Sequence, residues 1–192
     1  MAKPAQKREQ RSVETENDMS WYVIFVRTGF EDEFCRYTNK VKEQRYAGIN
    51  YNLLVPKRKI FERKQGVKRQ VIKTMFPGYV LLETETIYEF FFQAKNSPHI
   101  IRFLRDNAYF QEVRKEEIER ILMMVDCRGL IEISKAFVEN EKVRITDGPL
   151  LGREGIIQRI DKRKGRAKVK FAINENVLLI DLGIEILEKT IQ

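Results

Sequence analysis

Six consecutive apolar residues, Trp21-Tyr22-Val23-Ile24-Phe25-Val26, set the strongest constraint on this chain. A strand with one wet face alternates apolar and polar residues. A run that is apolar at every position suits a central strand covered on both faces. Other elements must therefore lie above and below it, and the next hundred residues supply them. Thr28-Gly29-Phe30-Glu31 matches a capping box, and Phe34, Tyr37 and Val41 recur at helical spacing, which predicts a helix over 30–45. Residues 50–63 and 67–75 read as two strands joined at Lys64-Gln65-Gly66. Phe76-Pro77-Gly78 breaks the pattern, and Tyr79 to Leu82 resumes as a strand. Thr86-Ile87-Tyr88-Glu89 is a second capping-box match, opening a helix that Asn96-Ser97-Pro98 stops. Ile100 to Leu104 is another strand, and Ile118, Ile121, Leu122 and Val125 mark a helix over 114–126. Strands interspersed with helices around a hairpin give an α+β sandwich spanning 21–127.

The texture changes beyond this unit. Residues 128–138 show no strong period and read as a linker. Over 139–192, Val143 and Ile145 alternate with charges, Asp147-Gly148-Pro149 turns the chain, and Ala167, Val169 and Phe171 alternate with Arg166, Lys168 and Lys170. Several short strands in so few residues predict a small β-barrel. Residues 1–20 carry four positive and four negative groups with almost no apolar side chains, and read as a disordered tail in which Met19 marks either an alternative start or an engineered junction.

Much chemistry is excluded. His99 is the only histidine, so a two-histidine zinc helix is impossible, and Cys35 and Cys127 lie too far apart in sequence for a CxxC site. There is no nucleophile elbow and no phosphate-cradling glycine loop. An enzyme is not expected, nor a metal or cofactor. No apolar run approaches the ~20 residues that span a bilayer, and no apolar leader opens the sequence, so a cytoplasmic monomer is expected, with both cysteines as free thiols.

Charge points to the partner instead. Lys plus Arg number 36 against 28 Asp plus Glu, a net charge of +8. The excess is concentrated: residues 56–73 hold eight basic groups against Glu62, and residues 142–170 hold ten against Asp147, Glu154 and Asp161. Two dense basic segments suggest a polyanion. The hairpin Lys57 to Lys73 either leans on nucleic acid, DNA included, or presents a solvated tip. Arg166, Lys168 and Lys170 share one strand face at roughly 6–7 Å spacing, close to that of phosphates along a strand. Arg153 and Arg159 are expected on the neighbouring strand, and Lys162, Arg163 and Lys164 in the turn between. These eight residues are the candidate RNA-binding set.

Three ordered motifs carry a resemblance. Trp21-Tyr22-Val23 with Thr28-Gly29-Phe30-Glu31, then Phe76-Pro77-Gly78-Tyr79-Val80, then Val143-Arg144-Ile145 through Asp147-Gly148-Pro149 to Gly155 together resemble NusG-type elongation factors. The resemblance implies an N-terminal NGN sandwich that binds bacterial RNA polymerase and an SH3-like KOW barrel that recruits another partner. It implies that Phe25, Phe76, Tyr79 and Leu81 lie in or near an exposed apolar patch that takes the polymerase clamp helices. It places Tyr88 and Glu89 where the RfaH type has threonines that touch the other side of the polymerase. Leu150 stands where a phenylalanine is common, and Asn174 replaces another apolar position that general members use against Rho or the ribosome. The basic barrel and the opening Trp-Tyr-Val-Ile-Phe-Val-Arg resemble the specialised LoaP branch, which implies antitermination on particular long operons through a nascent RNA hairpin. The alternative is a general factor linking polymerase to Rho or the ribosome.

Overall fold

The computed structural model describes residues 19–139, 142–174 and 176–187. The expected tail lies almost wholly outside them. The central strand β1 (Ser20–Val26) leads into α1 (Glu31–Lys40) and a single turn α2 (Lys42–Arg45). The helix expected over 30–45 is thus broken at Val41. Neither capping box forms. Phe30 is the N-cap of α1 and makes no side-chain cap bond. Glu31 is buried instead, and its carboxylate accepts the N–H groups of Gly29 (2.9 Å) and Gly78 (2.6 Å). Gly78 has φ +84°, and a side chain there would lie 3.1 Å from Thr28 Oγ1. The Phe-Pro-Gly turn is therefore fastened to the start of α1, which fixes how Phe76 and Tyr79 are presented.

The strand expected over 50–63 is two strands, β2 (Tyr51–Leu54) and β3 (Lys57–Lys64), in different sheets. Val55-Pro56 separates them; proline has no N–H to continue a ladder. β4 (Val67–Thr74) closes the hairpin on β3, and β5 (Tyr79–Thr84) enters the central sheet. Then follow α3 (Ile87–Ala94), β6 (Ile100–Phe103), a two-residue hairpin β7 (Arg105–Asp106) and β8 (Tyr109–Phe110), and α4 (Lys115–Leu122). The central sheet has the order β2-β5-β1-β6, and all its pairs are antiparallel.

The expected linker is mostly strand. β9 (Leu130–Ile131) pairs in parallel with β3, and β10 (Ser134–Glu139) is the first strand of the barrel. It joins β11 (Lys142–Asp147), β12 (Ile157–Asp161), β13 (Arg166–Ile173) and β14 (Asn176–Leu187) in the order β11-β10-β14-β13-β12. Only Glu132 and Ile133 separate the two sheets.

The two faces of the central sheet are closed differently. Tyr22, Ile24, Val26, Val80 and Leu82 pack with Phe34, Tyr46, Ile87 and Phe90 in one apolar cluster. Val23 and Leu81, on the opposite face, belong to a second cluster with Met75, Phe76, Ile118 and Ile121 that runs on into the barrel through Leu150, Val169 and Phe171. The Phe76 ring meets Phe171 edge-on at 6.1 Å. One continuous core therefore spans both units. Among the described residues no helix is long and apolar enough to cross a membrane.

Candidate nucleic-acid interface and apolar docking face

Strand alternation puts Trp21, Val23 and Phe25 on one face of β1, and register pairs Val23 with Leu81 and Phe25 with Tyr79. Phe25 and Tyr79 make a T-shaped contact at 4.7 Å, with the Arg102 guanidinium 4.4 Å from the Phe25 centroid. Both rings are half-buried. Phe76 and Leu81 differ from expectation: they are fully buried, under α4 and the barrel. The four residues named for an exposed patch thus share one apolar face, but only its Phe25–Tyr79 end is open. Tyr88 and Glu89 are exposed on α3, with the Tyr88 ring edge-on to Phe110 at 5.0 Å.

The basic hairpin divides into a neutralised base and a bare tip. Lys57 pairs with Asp32 (2.8 Å), Lys59 with Glu132 (2.6 Å) and Lys73 with Glu62 (3.4 Å). Arg58 donates to the Asp181 carbonyl of the barrel. Burial pulls its guanidinium below the ordinary value, and the Asp181 charge opposes that shift. At the tip, Arg63, Lys64, Lys68 and Arg69 are exposed, and the Lys68 ammonium sits 3.8 Å from the centroid of the Phe61 ring.

The eight barrel cations do not form one surface. Arg153 precedes a short 3₁₀ turn rather than lying on a strand. It donates to the carbonyls of Pro149 and Leu151 and lines a depression with Arg120 of α4 and Met123 just past its end. Arg166 crosses to the N-terminal unit, donating to the Phe61 carbonyl (3.0 Å) and pairing with Asp181 (3.5 Å). Lys168 pairs with the same carboxylate at 3.6 Å. Lys164 lies 3.9 Å from Asp161, whose carboxyl is held below the usual range first by the Lys164 backbone N–H. Lys162 is exposed in the same turn. Arg159, Arg163 and Lys170 are exposed and hold no hydrogen bond or ion pair among the described residues. A concave site lined by Arg159, Asp161, Lys164, Arg166, Lys168 and Asp181 encloses about 190 Å³.

The residues singled out for other chemistry have structural settings. His99 has φ +70°, stacks on Phe30 at 4.3 Å and lies 3.2 Å from Glu33. Burial pushes the Cys35 thiol up to about 12, while Cys127 is exposed. Among the described residues no three His, Cys, Asp or Glu side chains cluster to hold a metal. Leu150 is fully buried, and Asn174 sits at the domain seam, where its backbone N–H donates to Glu117 of α4 (2.8 Å). Sequence reasoning missed Asp181, which anchors Arg58, Arg166 and Lys168. Its one signal was a carboxylate in an otherwise apolar run, Val177 to Leu182.

Comparison with known proteins bears on both surfaces. A family model described as "Transcription termination factor nusG" matches residues 19–122, and a KOW motif model matches 139–170. The chain is 28% identical over 180 residues to the transcription termination/antitermination protein NusG of Pasteurella multocida, covering 92% of this chain and 98% of that one. It is 26% identical over 176 residues to the protein of the same name from Rickettsia prowazekii, covering 91% and 92%. Among solved structures, one described as "Domain interaction in Thermotoga maritima NusG" shares the fold with TM-score 0.55 and 20% identity, covering 86% of this chain and 94% of that one.

Proposed function

The chain belongs to the NusG family of transcription termination/antitermination factors, and on that premise we propose that it is a specialised member, binding RNA polymerase through its N-terminal unit and a nascent RNA hairpin through its barrel. Members of the family are not enzymes; they act by contact. On this reading the open Phe25–Tyr79 end, with Phe76 and Leu81 behind it, is the face offered to the polymerase clamp helices. The barrel selects which long operons are elongated processively.

One observation carries the RNA reading: Arg159, Arg163 and Lys170 stand exposed with no ion pair among the described residues, while Arg166 and Lys168 share Asp181. An exposed cation without an acid partner is available to the phosphates of a polyanion. A continuous A-form stem hides its base edges in a deep major groove, so a small barrel reads sequence only at a loop, bulge or end. Lysines supply sequence-independent phosphate contacts, while an arginine fork also suits a guanine edge.

The deciding experiment titrates the full chain with a labelled RNA hairpin, linear RNA and duplex DNA at several salt concentrations. Preference for the hairpin is expected. Equal affinity for all three leaves only nonspecific electrostatics. Transcriptome sequencing of a deletion strain then separates the alternatives. Loss confined to a few long operons supports specialisation, whereas a general fall points to a factor linking polymerase to Rho or the ribosome.

A further inference from the structure

The bare hairpin tip and the barrel turn lie about a hundred residues apart in sequence, yet the fold sets them face to face. Gly165 permits the approach: it has φ +64°, and a side chain there would lie 2.7 Å from the Ile184 carbonyl and 3.1 Å from the Phe61 ring. Arg166 then crosses the seam to the Phe61 carbonyl. Beside this crossing lies a cavity of about 360 Å³. Its N-terminal wall is Glu62, Arg63 and Lys68, its barrel wall is Arg163, Lys164 and Arg166, and Phe61 is its one aromatic lining residue. It shares Lys164 and Arg166 with the smaller site on the barrel face, so the two form one cationic track.

Three features decide what this cavity suits. Five cations face one carboxylate, so the ligand is anionic. Arg63 and Arg163 hold no hydrogen bond or ion pair among the described residues, and the Arg166 Nε is buried without a partner. Donors without acceptors therefore line both walls. The cavity lies near the lower end of the ~300–1,000 Å³ range of small-ligand sites, too small for a duplex. The aromatic floor distinguishes a nucleotide from an acidic peptide: a base stacks on Phe61 in place of the Lys68 ammonium, and that lysine is freed for a phosphate.

We propose that this inter-domain cavity receives one nucleotide splayed from the loop of a bound RNA hairpin, its base against Phe61 and its flanking phosphates on Arg63 and Arg163 from opposite domains. The proposal rests on the RNA reading above and deepens it. The RNA site is composite, and a barrel alone holds only half of it.

The test uses the full chain and a labelled pool of RNA hairpins with a fixed stem and a randomised loop, enriched on the unmodified protein. Affinity is measured for Arg63→Glu and Arg163→Glu, both exposed positions, with circular dichroism confirming the fold. Ultraviolet cross-linking with peptide mapping locates the loop. Each substitution is expected to weaken binding about tenfold or more, and loop cross-links are expected on peptides containing Phe61 and Arg163. If Arg163→Glu weakens binding and Arg63→Glu does not, the composite site is wrong while the RNA reading stands. If both weaken binding but loop cross-links avoid Phe61, the inserted base is wrong and only a backbone track remains. If no hairpin is enriched on the unmodified protein, the RNA reading fails and this proposal with it.

Discussion

The two faces of the central sheet are built from the same strands, yet one is sealed and the other is shared. On the sealed face, Tyr46, Tyr51 and Phe90 interlock at 5.1–5.4 Å beneath α1 and α3, all within the N-terminal unit. On the shared face, Val23, Leu81 and Phe76 complete their packing only against α4 and residues of the barrel. A face closed by its own unit can serve stability alone. A face closed by a neighbour holds apolar area that a second partner could reach only by displacing that neighbour.

This contrast can be broken at four points. The largest effect belongs to the sealed face: Phe90→Ala removes a fully buried ring and is expected to cost about 3–5 kcal/mol in denaturant unfolding. A loss under about 1 kcal/mol would mean that the face is not sealed. Phe171→Ala, on the shared face, is expected near the low end, about 3 kcal/mol, because the barrel can settle into the space. Combined with Phe76→Ala it should cost less than the two singly, since the rings touch. Strict additivity would separate the two rings and remove the contact between the units. Glu117→Ala leaves the buried Asn174 N–H without its acceptor and is expected to cost about 1–3 kcal/mol. An unchanged midpoint would show that this seam bond adds nothing.

The smallest effect is one of pH. The Asp126 carboxyl is held below its ordinary value first by the Leu130 N–H, then by Arg128. A carboxyl depressed in the folded state contributes stability above its unfolded value of about 3.9, and loses it as pH falls through the folded value. The Leu130 amide should therefore lose protection, relative to its intrinsic exchange rate, as pH falls before the sealed face opens. Exchange that keeps the same ratio to the Phe90 amide at every pH would reject a local role for Asp126.

The central strand was legible as an unbroken apolar run, the Phe-Pro-Gly turn as a break in the pattern, the hairpin as two runs around Lys64-Gln65-Gly66, and the barrel by its alternation. The joining strands were not. β9 is two residues long, too short for any period. β10 turns Ser134 and Ala136 into the interior, and side chains so small carry little hydrophobic contrast. Capping boxes misled because Glu31 found better donors across the fold, at Gly78, than at its own helix start. Periodicity also told which side chains share a face with Tyr79, but not what covers them. That is why Phe76 and Leu81 were named correctly as neighbours and wrongly as exposed. The partners of Arg166 and Lys168 were likewise hidden in the sequence. A cation in sequence looks solvated, and only the fold brings Asp181 beside both.

The two residues between β9 and β10 set how far the barrel can travel. Fully extended, Glu132 and Ile133 span at most about 7 Å, so the barrel cannot swing clear of Phe76 while β9 stays paired. Unzipping β9, a parallel bridge of only two residues on β3, frees the chain from the end of α4 to Ser134. That is eleven residues, 123–133, or about 36–40 Å of reach. A strand of only two residues thus sets the length of the tether. Engaged, it keeps the barrel at very high effective concentration over the shared face. Released, it lets the same barrel sample a volume wide enough to meet a ligand while the N-terminal unit is held elsewhere.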